Sequence, residues 1–147
     1  MLIGIVALAF LLVEPHFEGR NAYATWFQIY FNDLFLVYAY TASIAFFVAL
    51  YQGFLLLGYI AKNNVFTLGS VRALRTIKYC ALILVGFILG DEAYFFIVVR
   101  GTDDIAGGVM MGLMFMFVSS VVATAAAVFE KLLQSAVEMK SENDLTV

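Results

Sequence analysis

Two stretches of this chain, Leu34 to Ile60 and Ile105 to Phe129, run without one formal charge. Each exceeds the roughly 20 apolar residues that carry a helix across a ~30 Å hydrocarbon core. They make the chain an integral membrane protein. The rest of the sequence reads around them as an all-α, four-helix transmembrane bundle. It is a single domain over residues 1–147, with helices near 1–13, 34–60, 71–99 and 105–129 and a tail over 130–147.

Composition excludes the soluble alternative. Hydrophobic residues make up 64% of the chain, against roughly 45–50% in soluble domains. That leaves too little polar surface to cover a water-soluble globule. A single cysteine, Cys80, rules out an intramolecular disulfide and a cysteine-cluster metal site. Beside Lys78 and Tyr79 it reads as a small buried apolar side chain, with palmitoylation as the weaker alternative.

The first apolar segment, Met1 to Val13, spans only ~20 Å as a helix. It lacks the basic start of a signal peptide. It reads instead as a first membrane helix, either short or missing a few residues at its start. Pro15 and Gly19 are expected to break it. Tyr23, Trp26, Phe27, Tyr30 and Phe31 then recur at helical spacing. They suit a short interfacial aromatic helix before helix two, because Trp and Tyr favour the headgroup region.

Asn63 and Asn64 turn the chain after helix two. Thr67 or Ser70 is placed to cap helix three by accepting its free N–H groups. Asp91 and Glu92 interrupt that helix, and Arg100, Asp103 and Asp104 close it. Helix four continues past Phe129 into a charged extension with an incomplete apolar stripe.

Charge sets the orientation. Lys62, Arg72, Arg75 and Lys78 lie between helices two and three with no acid among them. The other two connections are acidic. Lys and Arg excess marks the cytoplasmic side. The basic turn is therefore expected inside, with both termini, in a bacterial cytoplasmic membrane.

Three groups of residues are candidates for function. Gly108 and Gly112 form GxxxG, and the ridge continues by steps of four to Met116, Ser120 and Thr124. Small residues let helix backbones approach closely, within the monomer or in a homodimer through helix four. Gln52, Asp91 and Glu92 are the strongly polar side chains near the apolar segments. Gln52 reads as an interhelical hydrogen bond. The two acids read either as a solvated helix end or as carboxylates inside the membrane, which are costly and usually functional. The third group is the basic turn with the tail Glu130 to Val147, which carries Glu130, Glu138, Glu142 and Asp144 against Lys131 and Lys140 and ends in Asn143, Asp144, Leu145 and Val147. Opposite charges on one side of the membrane can meet there, and an extended end can dock Leu145 and Val147 in a groove. The basic side chains also suit anionic headgroups of the bilayer.

Met110, Met111, Met114 and Met116 suggest a thioether path for soft metal, but no second Cys and no nearby His accompanies them. Core packing is the better reading. Glu14, His16 and Glu18 share a side with the acidic pair, but His16 is the sole histidine. No metal or cofactor is expected. No nucleophile motif, phosphate loop or nucleotide fingerprint appears, and the chain reads as a non-enzyme.

The second half resembles a known family. VFTLGSVRALRTIKY (Val65–Tyr79) and FEKLLQSAVEMKSENDLTV (Phe129–Val147) are similar to the bacterial membrane proteins called domain of unknown function 2975. The shared features are the capped turn, the Leu74-Arg75 pair and the terminal Glu142-to-Val147 signature. Leu50 to Gln52 also fits. The basic lead-in usual before helix one is absent here. The resemblance implies a four-helix membrane protein whose gene often lies beside one for a small helix-turn-helix regulator. A membrane-bound partner or modulator of such a regulator is the implied role, without direct nucleic-acid contact. The alternative is a small transporter or channel using Gln52, Asp91 and Glu92.

Overall fold

The computed structural model describes residues 2–17, 34–99 and 106–145. Four α-helices make up the described residues: α1 (Leu2–Phe17), α2 (Leu34–Ala61), α3 (Leu68–Tyr94) and α4 (Ala106–Leu145). A π-helical turn, Phe95–Val99, prolongs α3 without a break. No strand occurs among the described residues. The segments Val37–Ala61, Leu68–Ile97 and Ala106–Asn143 are long and apolar enough to cross a membrane. The expected aromatic helix before helix two lies outside the described residues.

Exposed side chains explain why such a chain needs lipid. Ile44, Phe54, Leu82, Met114, Phe117 and Val121 all face outward. Fully buried positions are few and mostly small: Ser70, Ala73, Ala81, Ala123 and Ala126 among them. Small side chains bring backbones close, and dispersion there replaces the hydrophobic drive that lipid does not supply.

α3 is the central element, and its sequence shows how. Val71, Leu74, Lys78, Ala81, Val85, Ile88, Glu92 and Phe95 are buried or half-buried and alternate in steps of three and four. This 3.5-residue repeat is the pattern of a coiled-coil seam. A second seam runs one residue behind it: Ser70, Ala73, Ile77, Cys80, Leu84, Phe87 and Asp91. The first seam meets α4, whose matching stripe is Gly112, Met116, Ser119, Ala123, Ala126, Glu130, Leu133 and Val137. The second meets α2, where Tyr38 and Tyr59 lie at the two ends of the stripe.

The four helices expected from the sequence are present among the described residues, and they pack unequally. The main packing is α2 on α3 and α3 on α4, while α1 touches α2 lightly. Gly4 faces the Leu50 side chain, and the Tyr40 hydroxyl donates to the Leu11 carbonyl at 2.9 Å. α1 therefore lies along α2 from the level of Tyr40 to that of Leu50. It also runs to Phe17, through Pro15, instead of stopping at Val13.

The turn between α2 and α3 is built on backbone geometry. Asn63 has φ 53°, the left-handed region. Its N–H bonds the Ile60 carbonyl at 3.0 Å, and the Asn64 N–H bonds the Tyr59 carbonyl at 2.9 Å. This is a Schellman closure, with Asn in the position usually held by Gly. Thr67 is the N-cap of α3 by position, but its hydroxyl makes no cap bond. It bonds the Asn64 carbonyl at 3.2 Å and lies 3.3 Å from the Ser70 hydroxyl. The Thr67 carbonyl takes the Ser70 and Val71 N–H groups instead.

Candidate functional site: two polar layers in the α3–α4 seam

The seam between α3 and α4 is interrupted by polar groups at two levels. At the basic end, Glu130 of α4 is 6% exposed. It accepts from Arg75 Nε at 2.6 Å and from Lys78 Nζ at 2.7 Å. Glu130 sits at a seam position between Ala126 and Leu133, so the helical repeat itself turns its carboxylate toward α3. Lys78 is the facing seam residue, and Arg75 reaches in from the adjacent exposed face. Charge-assisted bonds to both carboxylate oxygens fix the axial register of the two helices.

The clasp does not consume all the positive charge. The Arg75 side chain is 49% exposed, since it is held through Nε. Lys62 and Arg72 are exposed. The Lys78 ammonium lies 4.8 Å from the Tyr79 ring centroid, a cation–π contact that holds the aromatic at the same level. α4 runs on past this layer to Leu145, with Glu142 and Asn143 exposed.

The second layer lies two heptads along α3, ~21 Å from Lys78. Glu92 is 8% exposed, and its Oε2 has no hydrogen-bond partner. Its Oε1 lies against Gly112 of α4, where an added Cβ would collide with it. Gly108, one turn away, faces the Phe95 ring at ordinary contact distance. The two glycines thus face α3 side chains within the chain.

Asp91 and Glu92 do not form one site. They are neighbours in sequence, but a helix separates successive side chains by about 100°. Glu92 enters the seam with α4, and Asp91 falls on the seam with α2. There the Tyr38 hydroxyl donates to the Phe87 carbonyl at 2.7 Å, over Gly90. The helix also continues through both acids to Val99. For Glu92 the expectation of a solvated helix end does not hold.

The ridge expected through Gly108, Gly112, Met116, Ser120 and Thr124 departs from the seam after Met116. Four residues overshoot a 3.6-residue turn, so each step of four rotates away from the contact line. Ser120 and Thr124 are exposed and donate back to the Met116 and Ser120 carbonyls at 2.8 Å each. Ser119 and Ala123 take their place against α3. Gln52 lies half-buried on the α2 stripe between Tyr38 and Tyr59, remote from Glu92. Met110 and Met114 are exposed. Among the described residues no group of three His, Cys, Asp or Glu can hold a metal.

The expected extended end is absent as far as Leu145, where the backbone is still helical. The side chains of Asp144 and Leu145, and all of Val147, lie outside the described residues. Of the tail acids expected to meet the basic turn, Glu130 is the one that pairs with Arg75 and Lys78 among the described residues. Its signal was present in the 3–4 spacing of Ala123, Ala126, Glu130 and Leu133.

Comparison with known proteins agrees with this membrane architecture. The model of the family described as "Protein of unknown function (DUF2975)" matches residues 3–147. The chain belongs to this family. It is 42% identical to YoaS of Bacillus subtilis (strain 168), an uncharacterised membrane protein, over 148 residues that cover 100% of this chain and 92% of that protein. No solved structure matches the chain. The family description attaches no activity, so the chemistry must be argued from the seam.

Proposed function

We propose that this member of the family is a non-enzymatic protein of the bacterial cytoplasmic membrane that serves as the membrane-bound partner or modulator of a small helix-turn-helix regulator. Its basic end faces the cytoplasm, following the Lys and Arg excess of the α2–α3 turn. The observation that carries this reading is the Glu130 clasp. It locks α3 to α4 at that end while leaving Lys62, Arg72 and part of Arg75 available, with α4 projecting beyond it. A rigid cationic platform beside an acidic helical tail suits capture of a protein with mixed charge.

The tail from Glu142 to Val147 contributes to that surface, with Asn143, Asp144, Leu145 and Val147 as its contact residues. The regulator, not this chain, contacts nucleic acid. A homodimer through α4 would use the exposed Ser120 and Thr124 face, which does not meet α3. Binding of a purified small helix-turn-helix regulator of the proposed class, measured on the protein in nanodiscs, tests the reading. Loss of that binding on deleting Asn143–Val147 supports it.

The second reading is a small transporter or channel. The buried, unpartnered Glu92 favours it, with Asp91 and Gln52 on the neighbouring seam. Solute or ion flux into proteoliposomes, lost in Asp91→Asn with Glu92→Gln, would place this reading first.

A further inference from the structure

We infer that Glu92 is a binding site for one small cation, a proton or a sodium ion, taken up between α3 and α4. The residue is more than nine-tenths buried, and its Oε2 is buried without a partner. A buried charge or polar group without a partner is costly, and in lipid more so. Native seams avoid such groups unless something occupies them.

The local construction keeps room for the group instead of excluding it. Gly112 is the α4 residue opposite, and any side chain there would strike Oε1. An alanine at that position would seal the seam and favour the helix. Glycine leaves a niche the size of the carboxyl. Phe95 closes the niche one turn further along, against Gly108.

No other charge among the described residues serves the site. α4 offers Val109, Leu113 and Met116 near Gly112, none of them titratable. On α3, Asp91 turns to the α2 seam and Tyr94 is exposed. On α2, the Tyr38 hydroxyl is committed to the Phe87 carbonyl. The described side chains of α1, Leu2 to Val13, carry no titratable group. Glu18, Arg20, Asp33, Arg100, Asp103 and Asp104 lie outside the described residues. Among the described residues, the Glu92 carboxyl therefore has no charged neighbour to compensate it.

The inference deepens the role of Glu92 in the transport reading, but it concerns occupancy and not movement. A cation that binds without crossing would instead set the α3–α4 seam, whose other end carries the Glu130 clasp.

Dicyclohexylcarbodiimide tests it on the full-length protein. The reagent partitions into apolar regions. It takes the proton of a carboxylic acid on its nitrogen while the carboxyl oxygen attacks its central carbon, so the intact reagent is added. Peptide mass spectrometry should place the adduct on Glu92. Slowing by sodium chloride but not by choline chloride identifies sodium as the second ligand, and no sodium effect identifies the proton alone. Gly112→Ala should reduce labelling by displacing the carboxyl, while Asp91→Asn should leave it unchanged. Absence of a Glu92 adduct would overturn the inference. So would labelling of Glu92 at equal rates by a water-soluble carbodiimide, because that marks a solvated carboxyl. Labelling without any flux in proteoliposomes would leave the cation site standing and remove the transport reading.

Discussion

The Tyr40 hydroxyl donates to the Leu11 carbonyl across 2.9 Å, and Leu11 is the residue four positions before Pro15. Proline has no N–H, so it removes the helical bond that the Leu11 carbonyl would accept. Tyr40 supplies the missing donor from the next helix. α1 can therefore run through Pro15 to Phe17. The same bond is one of its few ties to α2.

This relationship predicts coupling. Tyr40→Phe should destabilise the protein in detergent by about 0.5–1.5 kcal/mol, the net value of a typical hydrogen bond. In a Pro15→Ala background, where the helix restores its own donor, the cost should fall toward zero. Thermal melts of the four proteins give the double-mutant cycle. Equal costs in both backgrounds would separate Tyr40 from the proline.

The two glycines of α4 should behave differently although both belong to GxxxG. A Cβ at Gly108 meets the Phe95 ring at 3.4–3.8 Å, which is ordinary contact. Gly108→Ala should be neutral or slightly stabilising, since Ala is the better helix former. Gly112→Ala displaces the end of a flexible side chain, so its main effect should be on Glu92 reactivity. Gly112→Leu should separate the helices and lower the melting temperature. Unchanged melting for Gly112→Leu would contradict the α3–α4 seam.

At the turn, Asn63→Gly should be tolerated and Asn63→Val should cost about 1–2 kcal/mol. The residue adopts a left-handed φ of 53°, where a Cβ crowds the following carbonyl. Chemical denaturation in a mild detergent can distinguish them.

Glu130→Gln should lower the melting temperature by roughly 2–4 °C, the shift that about 1 kcal/mol produces in a chain of this size. Lys78→Gln combined with Glu130→Gln should cost less than the sum of the single changes, because the pair is in direct contact. An additive result would mean that the 2.7 Å bond contributes nothing in solution.

Much of the architecture was legible because its physical signal is long. Charge-free runs define α2 and α4, and Asn63-Asn64 marks the turn between α2 and α3. Two things were harder to read. The small residues Gly108, Gly112, Ser120 and Thr124 suggest a step of four, but α4 follows the alternating 3–4 path of a supercoil onto Ser119, Ala123, Ala126 and Glu130. That choice depends on the partner helix and not on α4 alone. Asp91 and Glu92 read as a pair because they are adjacent, although adjacency on a helix sends them to different neighbours.

The direct test of the proposed role is equilibrium binding of a purified small helix-turn-helix regulator of the proposed class to this protein in nanodiscs. The account predicts saturable binding that weakens as salt is raised. It should be reduced by Arg72→Gln with Lys62→Gln, and lost on deletion of Asn143–Val147 with helix content unchanged. Binding equal to that of empty nanodiscs, or binding indifferent to both changes, would contradict the cytoplasmic platform as the working surface.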